Sequence, residues 1–209
     1  MRSPLPAGRA SVTEQWVDRR GRHPHGETAT WVDAALPFGR LVVVGESAGT
    51  VRATVDGRPV GALLGRQLAT TGWIRNGTAG PPVELGNERG TSAFVLGRLS
   101  RNEGGRRRHV GVRIGGQAWA FSLTALVAGV TSTEFALYRG ERAAGEAVVT
   151  VRREGGSPTA TDGSHVLAWA EGSTGEEIVL AELLSLATPP SSLTSLATKL
   201  LEGGDGANG

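Results

Sequence analysis

IVLAELLSLA, residues 178–187, is apolar on nearly every face that a helix could present, interrupted only by Glu182 and Ser185. A helix that is hydrophobic all round has no side for water and must be surrounded by protein. Just upstream, Ser173 stands three residues before Glu176, the spacing of a capping box. Glu176 and Glu177 suit a helix N-terminus, where negative charge is stabilised. Pro189-Pro190 stops the helix. The stretch therefore predicts a helix over 176–187, and in a small β-protein its natural place is the interior of a barrel.

The sequence before it has a different rhythm. Val51, Ala53 and Val55 alternate with Arg52, Thr54 and Asp56. Val110, Val112 and Ile114 alternate with Gly111, Arg113 and Gly115, and Trp119, Phe121 and Leu123 with Ala118, Ala120 and Ser122. A period of two is the mark of a half-buried strand. Asp56-Gly57, Asn76-Gly77, Gly104-Gly105, Gly115-Gly116, Gly155-Gly156 and Asp162-Gly163 are hairpin-type pairs between such runs. From Trp31 to Trp169 this gives about ten to twelve strands with tight connections, hence a mostly β fold and an antiparallel Gly-rich barrel. Trp119 and Phe121 fall on its apolar face. Residues 50–66 and 133–153 echo one another as strand, charged turn and strand. Chance likeness among Gly-rich hairpins is the plainer account.

Outside this unit the chain is polar. Residues 1–29 are Arg-rich and contain Pro, and they read as a mobile arm with no apolar run of the secretory-signal kind. The barrel domain is expected over 30–188. Beyond it, Leu193, Leu196, Leu200 and Leu201 make a one-sided stripe, which predicts an amphipathic helix ahead of the flexible tail GGDGANG. No apolar run approaches the ~18 residues of a membrane-spanning helix.

Charge adds little about partners at first sight. Twenty-two basic and 20 acidic residues among 209 leave +2, yet the isoelectric point is 9.9. With one lysine (Lys199), one tyrosine (Tyr138) and no cysteine, almost nothing titrates between His and Arg, so a small Arg excess carries the value upward. It is not a nucleic-acid signature. Distribution says more. Residues 98–113 carry a local +5 and residues 171–209 a local −5, so a dipolar molecule is expected. The absence of cysteine removes disulfides and thiol chemistry and is compatible with a cytoplasmic protein.

Three candidate chemistries emerge. Gly45-Glu46-Ser47-Ala48-Gly49 follows the strand LVVV and matches the G-x-S-x-G elbow of esterases, with Asp162 and His165 downstream as triad partners. An elbow needs a helix after its second Gly; TVRATVD, a strand, follows instead, so Ser47 reads as an exposed turn residue. His23, His25 and His109 lack partners at metal-ligand spacing, and neither cofactor nor metal is expected. His109 ends the Arg106-Arg107-Arg108 run and reads as part of a solvated edge. Arg98, Arg101, Arg106, Arg107, Arg108 and Arg113 gather on one expected hairpin. They are candidates for binding phosphate, or else a charged edge that blocks sheet-to-sheet pairing. Stacking aromatics of the kind nucleic-acid readers use are missing from it.

Strand count and the hydrophobic helix 178–187 together resemble the tubby-like superfamily, which includes the LURP-one-related and phospholipid-scramblase-like proteins. Hairpins such as EFALYRGERAAGEAVVTV are similar to that family's repeating unit. The resemblance covers about residues 31–188 and implies some twelve antiparallel strands closed around one helix, with phosphoinositide or membrane binding in many members. It assigns no site residue here, and the helix expected at 191–202 is additional to it. The leading expectation is a non-enzymatic binding or scaffold module with a protein partner. The alternative is an anionic lipid- or phosphate-binding barrel that uses Arg98–Arg113; a small serine esterase that uses Ser47 ranks last.

Overall fold

The computed structural model describes residues 1–15, 29–46, 50–64, 83–87, 90–94, 100–101, 108–126, 133–154 and 162–186. The expected amphipathic helix within 189–209 lies outside them. Thirteen strands and one helix are present among the described residues. In the first half they are β1 (Gly8–Gln15), β2 (Ala29–Leu36), β3 (Gly39–Glu46), β4 (Thr50–Val55), β5 (Arg58–Leu64), β6 (Val83–Asn87) and β7 (Gly90–Phe94). The second half holds β8 (Ser100–Arg101), β9 (Arg108–Ile114), β10 (Gln117–Leu126), β11 (Thr133–Arg139), β12 (Val149–Glu154) and β13 (Asp162–Trp169), then helix α1 (Gly175–Leu186).

The turns form where the sequence permits positive φ. Asp56 and Gly57 have φ of 50° and 76°, and Gly115 and Gly116 have 56° and 81°, as a two-residue hairpin loop between right-twisted strands requires. They join β4 to β5 and β9 to β10. Asp162-Gly163 is not a turn: both residues pair with β1 at the start of β13. The strand order is β7-β6-β5-β4-β3-β2-β1-β13-β12-β11-β10-β9-β8, antiparallel throughout. Each half is an up-and-down meander, and the first and last strands pair to join the two. The echoing segments are β4–β5 and β11–β12, the fourth and fifth strands of each half.

Two expectations about this architecture change. The first concerns closure. Among the described residues no ladder joins β7 to β8 or β9, so the sheet is not a hydrogen-bonded closed barrel. Its edges nevertheless approach, for β7 lies beside β9. The second concerns the N-terminal arm. Residues 8–15 are β1, paired with β13 from Gly8↔Trp169 to Gln15↔Asp162 and with β2 through Thr13 and Glu14. Val12 is buried and Ala10 packs against the core, while Arg9 and Ser11 are exposed. Two small apolar residues are enough for a strand whose neighbours supply the rest of the burial. Gly8 is required there, since a Cβ would stand 2.7 Å from the Trp169 ring.

The core lies on the face of the sheet that α1 covers. The helix packs against β4, β5, β11, β12 and β13, strands from both halves. Ile178, Val179, Leu180, Ala181, Leu183 and Leu184 are all buried, with Trp119, Phe121, Phe135, Leu137, Val149, Val151, Leu167 and Trp169 among the strand residues around them. Phe121 and Phe135 stack with ring centroids 5.3 Å apart.

Leu184→Asp is expected to abolish the cooperative thermal transition, because a buried unpaired charge costs several kcal/mol against a total stability of ~5–15. Deletion of residues 1–15 is expected to do the same by far-UV circular dichroism. A truncated chain that kept a parental melt would show β1 to be dispensable.

Candidate functional site

Three groups of polar side chains stand out, and the fold separates them. The first is at the N-terminus of α1. Thr174 is the N-cap: its Oγ1 accepts from the Glu177 N–H at 3.3 Å, and the Thr174 N–H donates to Glu177 Oε2 at 3.0 Å. This is a capping box one residue later than the expected Ser173/Glu176 pair. Ser173 Oγ instead donates to the Val148 carbonyl at 2.7 Å. Position 177 also faces β10 and β11. Arg139 donates from Nε and Nη2 to the two Glu177 oxygens at 2.7 and 2.8 Å, and Trp119 Nε1 donates to Oε1 at 3.3 Å. Arg139 further donates to the Gly172 carbonyl at 2.7 Å. Burial pushes the Glu177 carboxyl up, but the bonds from Arg139, Thr174 and Trp119 outweigh it and hold the group below its ordinary value. The Glu177 bond in turn raises Arg139.

The second group is inside. His165 on β13 and Glu182 on α1 are both 0% exposed, with Nε2 and Oε2 2.8 Å apart. His165 thus faces the helix from the inner face that also carries Leu167 and Trp169, all three buried. Ser47 lies outside the described residues, and β3, which precedes it, is separated from β13 by β2 and β1.

The third is the arginine group. Arg101 and Arg108 are direct cross-strand partners in the β8–β9 ladder. Arg113 is on the same strand, but the odd spacing from 108 puts the two positions on opposite faces of it. The exposed Arg113 is engaged in an ion pair with Glu141, in the segment that follows β11. That segment covers a small outer cluster of Ala120, Ala136, Tyr138 and Ala143. Arg98, Arg106 and Arg107, like His23 and His25, lie outside the described residues. His109 is not a solvated edge residue: it is 4% exposed, next to Arg108 and paired in register with Ser122 and Ser100.

The expected acidic end is likewise altered. Of its carboxylates, Glu177 and Glu182 are buried and engaged by Arg139 and His165, and Glu176 lies 4.0 Å from Arg2. Three of the six acidic residues counted over 171–209 thus belong to the core helix, where Arg139, Arg2 and His165 stand beside them. The sequence signals for these partnerships are slight: Glu182 breaks an apolar helix, and Arg139 and His165 occupy inward positions of alternating strands.

Among the described residues no three His, Cys, Asp or Glu side chains stand together as a metal site, and no helix is long and apolar enough to cross a membrane. No protein-family model, no curated protein and no solved structure matches the chain.

Arg139→Met is expected to cost about 2 kcal/mol, less than the 3–5 of a fully buried pair because Arg139 is 47% exposed. The depressed Glu177 carboxyl sets the pH dependence. Its stabilisation is full above the unfolded carboxyl value near ~4.3 and is lost as pH falls through the lower folded value. Thermal melts from pH 7 downward check this: Glu177→Gln should flatten the acid-side decline, and an unchanged slope would remove Glu177 from it.

Proposed function

We propose that the protein is a non-enzymatic binding or scaffold module that works through protein–protein contacts on the outer face and edges of its sheet. The observation that carries this is the occupancy of the inner face. Curled sheets that take small ligands hold them on the concave side, in a volume lined by inward side chains. Here α1 fills that side, from Ile178 to Leu184, with side chains at most 6% exposed. A partner then meets the strands' outer face, their turns or the sheet edges.

A second reading has one observation in its favour. Arg101 and Arg108 are direct cross-strand partners. Like charges at positions in that register destabilise a sheet, and a bound anion relieves the repulsion. Recognition of a phosphate or an anionic lipid headgroup follows from that chemistry. An esterase using Ser47 has no such support, since His165 is engaged with Glu182 in the core.

Sedimentation of the full chain with vesicles of mixed neutral and anionic lipid separates the two readings. The scaffold reading expects no salt-sensitive binding, and capture of a stoichiometric protein partner whose retention survives the substitution of Arg101 and Arg108 by Ser. Vesicle binding at low salt that falls about 30-fold in that double variant would establish the second reading instead, at about 1 kcal/mol for each arginine near an anionic surface. Labelling by a fluorophosphonate probe that disappears in Ser47→Ala would defeat both.

A further inference from the structure

We infer that the His165–Glu182 pair is a device that sets the rotation and height of α1, rather than a source of stability. An amphipathic helix is oriented by its apolar stripe. Helix α1 has none: Ile178, Val179, Leu180, Ala181, Leu183 and Leu184 point around the whole circumference, and all are buried. Sliding or turning such a helix exchanges one apolar contact for another, so packing alone discriminates weakly between settings.

Two polar side chains break the degeneracy. Glu177 is tied to Arg139 and Trp119, on β11 and β10. Glu182 is tied to His165 on β13 at 2.8 Å. They are five positions apart, so they leave the helix about 140° apart in azimuth and about 7.5 Å apart along the axis. Anchors at different azimuths and heights fix both the rotation and the translation of a cylinder, which one anchor near its end cannot do. Any other setting buries Glu182 away from His165, and a buried polar group without its partner is expensive. The pair therefore penalises wrong settings more than it favours the right one. Replacement of a buried ionic or polar pair by apolar groups is often neutral or stabilising, while fixing register is its best-attested use.

The five tryptophans supply the readout, because Trp119 touches Glu177 and so reports the seat of the helix. The full chain is labelled with 5-fluorotryptophan, and the parent is compared with two double variants. One is His165→Leu with Glu182→Leu; the other is His165→Gln with Glu182→Gln. The Leu double variant is expected to keep a cooperative melt at or above the parental midpoint, while the Trp119 fluorine line splits or broadens as α1 samples several settings. The Gln double variant, which restores hydrogen bonding without charge, is expected to return a single sharp line. A Leu double variant with one sharp Trp119 line would overturn the inference, since packing alone would then set the helix. Loss of the cooperative melt in the Leu variant would overturn it too, because the pair would then be a source of stability.

Discussion

The eight-residue ladder between β1 and β13 is the constraint on which the rest of the molecule depends. Every other pairing among the described residues joins strands that are neighbours in sequence, and such meanders form from local hairpins. The β1–β13 ladder alone unites the halves into one sheet wide enough to curl around a helix. It also sets the position of α1, which follows β13 after only five residues. The segment before β1 is also stitched to the β13–α1 connection. The Leu5 N–H donates to the Ser173 carbonyl at 2.8 Å, the Gly172 N–H to the Leu5 carbonyl at 2.9 Å, and Trp169 Nε1 to the Pro6 carbonyl at 2.9 Å.

Within that frame the polar groups of α1 have a division of labour. At its start, Glu177 satisfies the N-cap amide, the Arg139 guanidinium and the Trp119 indole together, so one carboxylate answers helix, strand and aromatic core. Half-exposed Arg139 keeps part of its hydration, which lowers the desolvation cost of the pair. Local compensation of this kind also weakens the molecule's long-range field. Charge counted along a sequence describes a surface potential only when the charged groups are at the surface.

Much of the helix and core was legible in the sequence. A run with apolar residues on every face admits only burial, and the alternation through Trp119 and Phe121 admits only one inward side. What escaped has physical reasons. In β1, Arg9-Ala10-Ser11-Val12-Thr13 has too little apolar bulk to announce a strand. Its stability comes from β13, whose relation to it no local pattern encodes. The cap shifted by one because Ser173 and Thr174 both stand three before a Glu. Geometry chose Thr174, since only Glu177 faces Arg139. His165 looked like a loose triad member because a lone His on an apolar face carries no mark of its partner. Within the arginine cluster, alternation puts positions 108 and 113 on opposite faces of β9, a relation that proximity in sequence hides.

The pairing of Val12 with His165 joins residues 153 positions apart in the chain. On a ribosome adding ~5–20 residues per second, β1 emerges about 8–30 s before its partner exists. During that interval β1 and the meander beside it have an unsatisfied edge, and the inner face of β2–β5 lacks the helix that covers it. Local hairpins form at once, but the long-range closure that completes the sheet is the slow, entropically costly step. The nascent chain is therefore most exposed to strand-edge association late in its synthesis, when nearly all of the sheet is present and its final strand and helix are not.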